Sequence, residues 1–162
     1  MQTADVQSLF DYMYWVNWRL LDAAARLSAA DFVKPDAVTT RDLRSTLVHE
    51  LDVEWSWRLR LQGRSDEDEA ELRPENYSDI AALRAHWERD EAEMRAWLAS
   101  LSDEDLFRSI TPEPMKHPFP LWQYLTHILM HAAQQQADAA TLLSRAGQSP
   151  GELGYLEFLR TR

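Results

Sequence analysis

The last long apolar stretch of the chain carries a row of neutral polar side chains that could bind a metal ion. Residues 126–140 read THILMHAAQQQADAA, and His127 and His131 are one helical turn apart. Two imidazoles at this spacing leave the same face of a helix and can converge on one divalent cation. Gln135 extends the row by a further turn. The stretch Leu121–Ala137 contains no charged residue, although the chain has 27 acidic and 17 basic residues.

Three interpretations of this row are open: an exposed face, a buried hydrogen-bond network and a metal site. The segment 80–101 is dense in Glu, Asp and Arg on its predicted outer face, so an exposed face in this protein is expected to be ionic. A buried network needs no metal, because His and Gln can satisfy one another. A metal in a helical bundle needs ligands from more than one helix. His49 is the best further candidate, and His86 and His117 are weaker ones.

Apolar periodicity predicts four long helices that would position these residues. Apolar residues at steps of three and four, the spacing of bundle helices, indicate a first helix that begins near Thr3 and a third helix from Ser78-Asp79 to about Leu101. The second is expected from Thr39 or Thr40 to Gly63, and the fourth from Leu121 to Arg145.

The segments between these helices are predicted to be connections. A short capped turn is expected from Ser28, and residues 64–77 are predicted to form an acidic loop. Residues 102–120 contain four of the seven prolines and are predicted to form a long crossover. The apolar tail is expected to pack back on the bundle. The predicted fold is all-α, a four-helix bundle with long crossover loops in a single domain over residues 1–162.

Composition excludes several classes of function. The net charge of −10 argues against nucleic acid or an anionic membrane as the main partner. Cysteine is absent, which removes disulfides, zinc–thiolate sites and a thiol nucleophile. No signal peptide, membrane span, glycine-rich phosphate loop or GxSxG motif is found, so a cytoplasmic protein is expected.

The motifs together resemble those of a known family. The stretch LVHELDVEWSW (Leu47–Trp57) follows YMYWVNWRLLDAAARLS (Tyr12–Ser28), and LTHILMHAAQQQADAATLLSRAGQSPGELGYLEFL spans Leu125–Leu159. This ordered set is similar to the DinB-like, damage-inducible and YfiT-related family of four-helix bundles. The resemblance implies a homodimer and a divalent metal, zinc or nickel, held by three histidines. It also implies a hydrolase or a thiol-dependent transferase acting on a small molecule.

At the ligand positions the resemblance maps onto this chain with one departure. The ligand of the second helix falls on His49, and the first of the final histidine pair on His131. The second of that pair falls on Gln135, and Gln136 takes a position that is usually Arg. Three outcomes are open: Gln135 ligates weakly, His127 substitutes for it, or the metal site is lost. The last outcome would leave a non-catalytic dimeric bundle, while a retained metal would activate a water or a cosubstrate thiol.

Overall fold

Four long helices form a bundle in the computed structural model, which describes residues 1–64 and 72–162. The described part contains seven α-helices, a 3-10 turn at Pro74–Asn76 and two strands of two residues each. The helices are α1 Thr3–Ala24, α2 Ala29–Phe32, α3 Leu43–Leu61, α4 Ile80–Ser100, α5 Asp103–Phe107, α6 Leu121–Arg145 and α7 Tyr155–Arg160. α6 packs against α1 and α3, and α4 packs against the same two helices. The predicted all-α bundle is confirmed.

Side-chain caps explain where two of the long helices, α3 and α4, begin. The Asp79 side chain accepts a hydrogen bond from the backbone N–H of Ala82 at 2.9 Å and begins α4, as predicted. Asp42 caps α3 in the same way through Ser45, at 2.7 Å. α3 therefore begins at Leu43, later than the predicted Thr39 or Thr40, because Asp42 is its N-cap.

The connections contain more regular structure than the sequence indicated. Ser102 and Asp105 form a reciprocal cap on α5, a helix too short to show an apolar repeat. β1 (Ser109–Ile110) pairs antiparallel with β2 (Phe119–Pro120), which leads directly into α6. The predicted acidic loop at 64–77 lies partly outside the described residues.

The C-terminal tail packs back on α1 through ring contacts and through a hydrogen bond from the Tyr12 hydroxyl to the Leu153 carbonyl at 2.8 Å. The ring of Phe158 in α7 is buried and lies 5.7 Å from that of Tyr12 and 5.8 Å from that of Trp15, between ring centroids. Leu156 and Leu159 are exposed. A helix as short as α7 has only one face toward the bundle, so the prediction holds for Phe158 and fails for these two leucines.

A buried polar layer divides the bundle core into two apolar clusters. Leu20, Leu47 and Trp87 belong to one cluster, and Phe10 and Met94 belong to the other. Between the clusters each long helix contributes buried polar side chains, and these define the polar layer: Asn17, Glu50, Glu54, Arg58, Asp90, Gln135 and Gln136.

No helix in residues 1–64 or 72–162 is both long and apolar enough to cross a membrane.

Candidate metal centre in the bundle

His49 of α3 and His131 of α6 meet where these two helices pack together. Their Nε2 atoms are 3.2 Å apart, and their ring centroids are 4.9 Å apart with the ring planes at 78°. Zinc–nitrogen bonds of about 2.0–2.1 Å in a tetrahedral site place two ligand nitrogens roughly 3.3 Å apart. The same spacing suits a hydrogen bond between two neutral imidazoles. Two residues 82 positions apart in the chain thus form one imidazole pair.

The environment of His131 favours the neutral imidazole. Burial lowers the pKa of His131 to about 4, and repulsion from His49 and His127 acts in the same direction. His131 is therefore uncharged at neutral pH. The neutral ring is the form that offers a lone pair to a metal or accepts a hydrogen bond.

Gln135 lies one turn beyond His131 and has an unsatisfied acceptor. Its side chain is 8% exposed, and its Oε1 atom is buried without a hydrogen-bond partner. A buried polar atom left unpaired costs about 1–3 kcal/mol. A cation is one partner that would satisfy an orphaned amide oxygen, so Gln135 fits a metal site as the third donor.

His127, the other candidate donor, is exposed and packs on an aromatic ring. Its ring lies 5.4 Å from that of Trp57, edge to face, and 6.4 Å from that of His131, between centroids. The solvent-exposed position distinguishes His127 from the half-buried His49 and His131.

A hydrogen-bond network lies beside the histidine pair, one residue along α6 from Gln135. The Gln136 amide Nε2 donates toward Asn17 Oδ1 at 2.6 Å, Glu50 Oε1 at 3.2 Å and the Met13 carbonyl at 3.1 Å. Burial raises the pKa of Glu50 to about 8, although hydrogen bonds from Gln136 and Asn17 oppose that shift. The resemblance assigns Arg to position 136. In this chain the uncharged Gln136 amide occupies it and donates to the Glu50 carboxyl, whose pKa burial raises to about 8.

Sequence reasoning missed Asn17 and Tyr14 as members of the polar interior. Tyr14 donates its phenolic hydrogen to Glu54, and both side chains are almost fully buried. Asn17 sits at the helical spacing of the apolar residues Met13 and Leu20, and a polar residue at such a position was a signal that could have identified it.

A comparison with protein-family models decides the family. The model of the DinB family matches residues 1–162, the whole chain. The chain belongs to the DinB family. No curated protein matches the sequence.

This DinB-family protein offers a mixed donor set for a metal. Among residues 1–64 and 72–162, no group of three His, Cys, Asp or Glu side chains is placed to hold one ion. In the present arrangement the third donor to the histidine pair would be a neutral amide, such as that of Gln135, whereas His127 would have to turn toward the pair to serve as one. An amide oxygen is a poorer zinc ligand than an imidazole nitrogen, so two imidazoles and one amide oxygen bind a divalent cation less strongly than three imidazoles.

The weaker candidate His86 has a different environment. His86 Nδ1 is 2.7 Å from the hydroxyl of Tyr77, and burial lowers the pKa of His86. This histidine is thus paired with Tyr77, and it lines a cavity between α3 and α4 together with Arg58 and Asp90. His117 lies in the exposed segment between β1 and β2.

Proposed function

We propose that this protein binds a divalent metal ion, zinc or nickel, through His49, His131 and Gln135, and acts on a small molecule as a hydrolase or thiol-dependent transferase. The observation that carries the proposal is the 3.2 Å separation of the two Nε2 atoms, together with the buried, unpaired Oε1 of Gln135, which follows His131 by one helical turn. His127 is the alternative third ligand.

The chain's own residues would hold and orient the reactants. His49 and His131 present neutral nitrogens from two different helices, so packing of α3 against α6 sets their spacing. A bound divalent metal would lower the pKa of a water or thiol and supply a nucleophile near neutral pH. Since the chain has no cysteine, a thiol must come from a cosubstrate.

A second candidate function is a non-catalytic bundle that has lost its metal. The glutamine at position 135 favours this alternative, because an amide oxygen is a poorer zinc ligand than imidazole. In that case the His49–His131 contact would be a hydrogen bond that helps to hold α3 against α6.

Metal analysis separates the two candidates. We expect protein produced without an affinity tag, from cells supplied with zinc and nickel, to contain about one divalent metal per chain, as a single site requires. His131→Ala should remove most of this metal, whereas His86→Ala should not, because His86 pairs with Tyr77. Elemental analysis of the three proteins provides the measurement. Sub-stoichiometric metal in the unaltered protein, or equal loss in both variants, would refute the metal site.

A further inference from the structure

An aromatic pocket opens beside the histidine pair. It has a volume of about 250 Å³ and is lined by Trp57, Met115, Phe119, Gln123, Tyr124 and His127. His127 links it to the candidate metal centre, because the His127 ring lies 6.4 Å from the ring of His131. These six residues come from α3, from β2 with the loop that precedes it, and from the first two turns of α6.

The walls of this pocket are flat and mutually supported. The Tyr124 ring lies 5.6 Å from that of Trp57 and 6.0 Å from that of Phe119, between centroids. The Tyr124 hydroxyl donates to the backbone carbonyl of Ile110 at 3.2 Å, which ties this ring to β1. Trp57 also packs against the apolar cluster that contains Phe10 and Met94. Ring faces held in this way can receive a planar ligand without reorganising.

The side chains that line the pocket restrict the charge and polarity of the ligand that it can bind. None of the six side chains is an acid, a lysine or an arginine, although the chain carries a net charge of −10. A phosphate or a polyanion would find no lysine or arginine partner in this lining. Gln123 and His127 supply the polar groups, so the ligand has few hydrogen-bonding atoms. The volume is at the small end for ligand pockets, which suits one or two fused rings.

We infer that this pocket binds an uncharged aromatic small molecule, and that it holds the aromatic part of the substrate next to His49 and His131. The role as a substrate subsite rests on the proposed function, whereas the binding itself does not. His127 then contacts the ligand at the end of the pocket closest to His131.

Calorimetric titration with indole tests the pocket directly. We expect indole to bind with a dissociation constant below about 1 mM. Phe119→Ala should weaken binding about three- to tenfold, since one aromatic wall is lost. Phe107→Ala is the matched control, because Phe107 is an exposed aromatic residue outside the pocket. Trp57 is a poorer choice, because removing a ring that packs against the core would also destabilise the fold.

The same titration, done after dialysis against EDTA and again with added zinc, separates this inference from the proposed function. Indole binding by a protein that takes up no zinc would support the pocket and refute the metal site. Zinc uptake without indole binding would refute the pocket alone, as would equal weakening by Phe119→Ala and Phe107→Ala. If indole fails to bind and Phe119→Ala converts a dimer into a monomer in light scattering, the pocket is instead an interface between two copies.

Discussion

In the proposed metal site, the side chain at position 135 sets the strength of metal binding. Gln135 is buried with an unpaired Oε1, one turn after His131 and on the same helix face. An imidazole at this position would add a stronger nitrogen donor to the pair that His49 and His131 already form. A single substitution at position 135 can therefore measure how much the metal affinity differs between an amide and an imidazole donor.

Gln135→His is expected to increase zinc affinity roughly tenfold or more, because a third imidazole replaces a neutral amide oxygen. Gln134→His is the matched control, since position 134 is exposed on the same helix. Competition with a chelating indicator gives both affinities. Equal affinities for the two variants would show that position 135 does not face the ion.

At the scale of elements, α3 joins the histidine site to α4 through a buried ion pair. Arg58 lies two turns beyond Glu50, and its Nε donates to Asp90 Oδ1 at 3.1 Å. Both residues are 2% exposed, and Arg58 also pairs with Glu93 on the same helix as Asp90. Burial raises the pKa of Asp90, while the Arg58 guanidinium opposes that shift. The pair fixes the register of α4 on α3, the helix that also carries His49.

Asp90→Ala is expected to reduce the free energy of unfolding by about 3–5 kcal/mol, because Arg58 is left buried with a weaker set of partners. Replacing both residues, with Arg58→Met and Asp90→Leu, should cost less than Asp90→Ala alone. Urea titrations monitored by circular dichroism measure the three stabilities.

The control for this prediction is an exposed ion pair between helices. Arg84 contacts Asp22 at 2.7 Å on the surface, so Asp22→Ala should change stability by about 0–1 kcal/mol. A loss at Asp90 no larger than the loss at Asp22 would contradict a structural role for the buried pair.

At the scale of the whole molecule, the polar layer makes stability depend on pH. Burial raises the pKa of Glu54 well above its ordinary value of 4.5, and the negative charge of Asp90 acts in the same direction. Glu54 is thus protonated in the folded protein over a pH range in which it is ionised in the unfolded chain. Its contribution to stability is fully present below about pH 4.5 and is lost as the pH rises toward its folded pKa.

We expect the free energy of unfolding to fall as the pH rises from about 6.5 to 8, by up to about 1.4 kcal/mol per pH unit for each such carboxyl. Below about pH 6.5 the lowered pKa values of His131 and His86 oppose this trend. Glu54→Gln should make this slope shallower, since glutamine does not titrate. Glu104→Gln provides the control, because Glu104 is exposed in α5. Urea titrations at three pH values test the expectation, and an unchanged slope in Glu54→Gln would contradict it.

The sequence alone was sufficient to predict the long helices, because helix formation follows from short-range sequence patterns. Apolar periodicity and caps predicted the four long helices, because helix formation depends on residues within a few turns of one another. α6 begins at Leu121 and ends at Arg145 as expected. α5 was missed because five residues are too few for a repeat.

Only the tertiary structure could decide what the neutral polar row on α6 contacts. Sequence spacing puts His127, His131 and Gln135 on one helix face, but the neighbouring helices determine the environment of each. α3 brings His49 to His131, Trp57 of that helix packs on His127, and Gln135 is buried. The buried network that was one interpretation of this row lies at Gln136, where α1 and α3 supply Asn17 and Glu50. These contacts join residues 70 or more positions apart in the chain, so their geometry depends on packing that local sequence patterns do not encode.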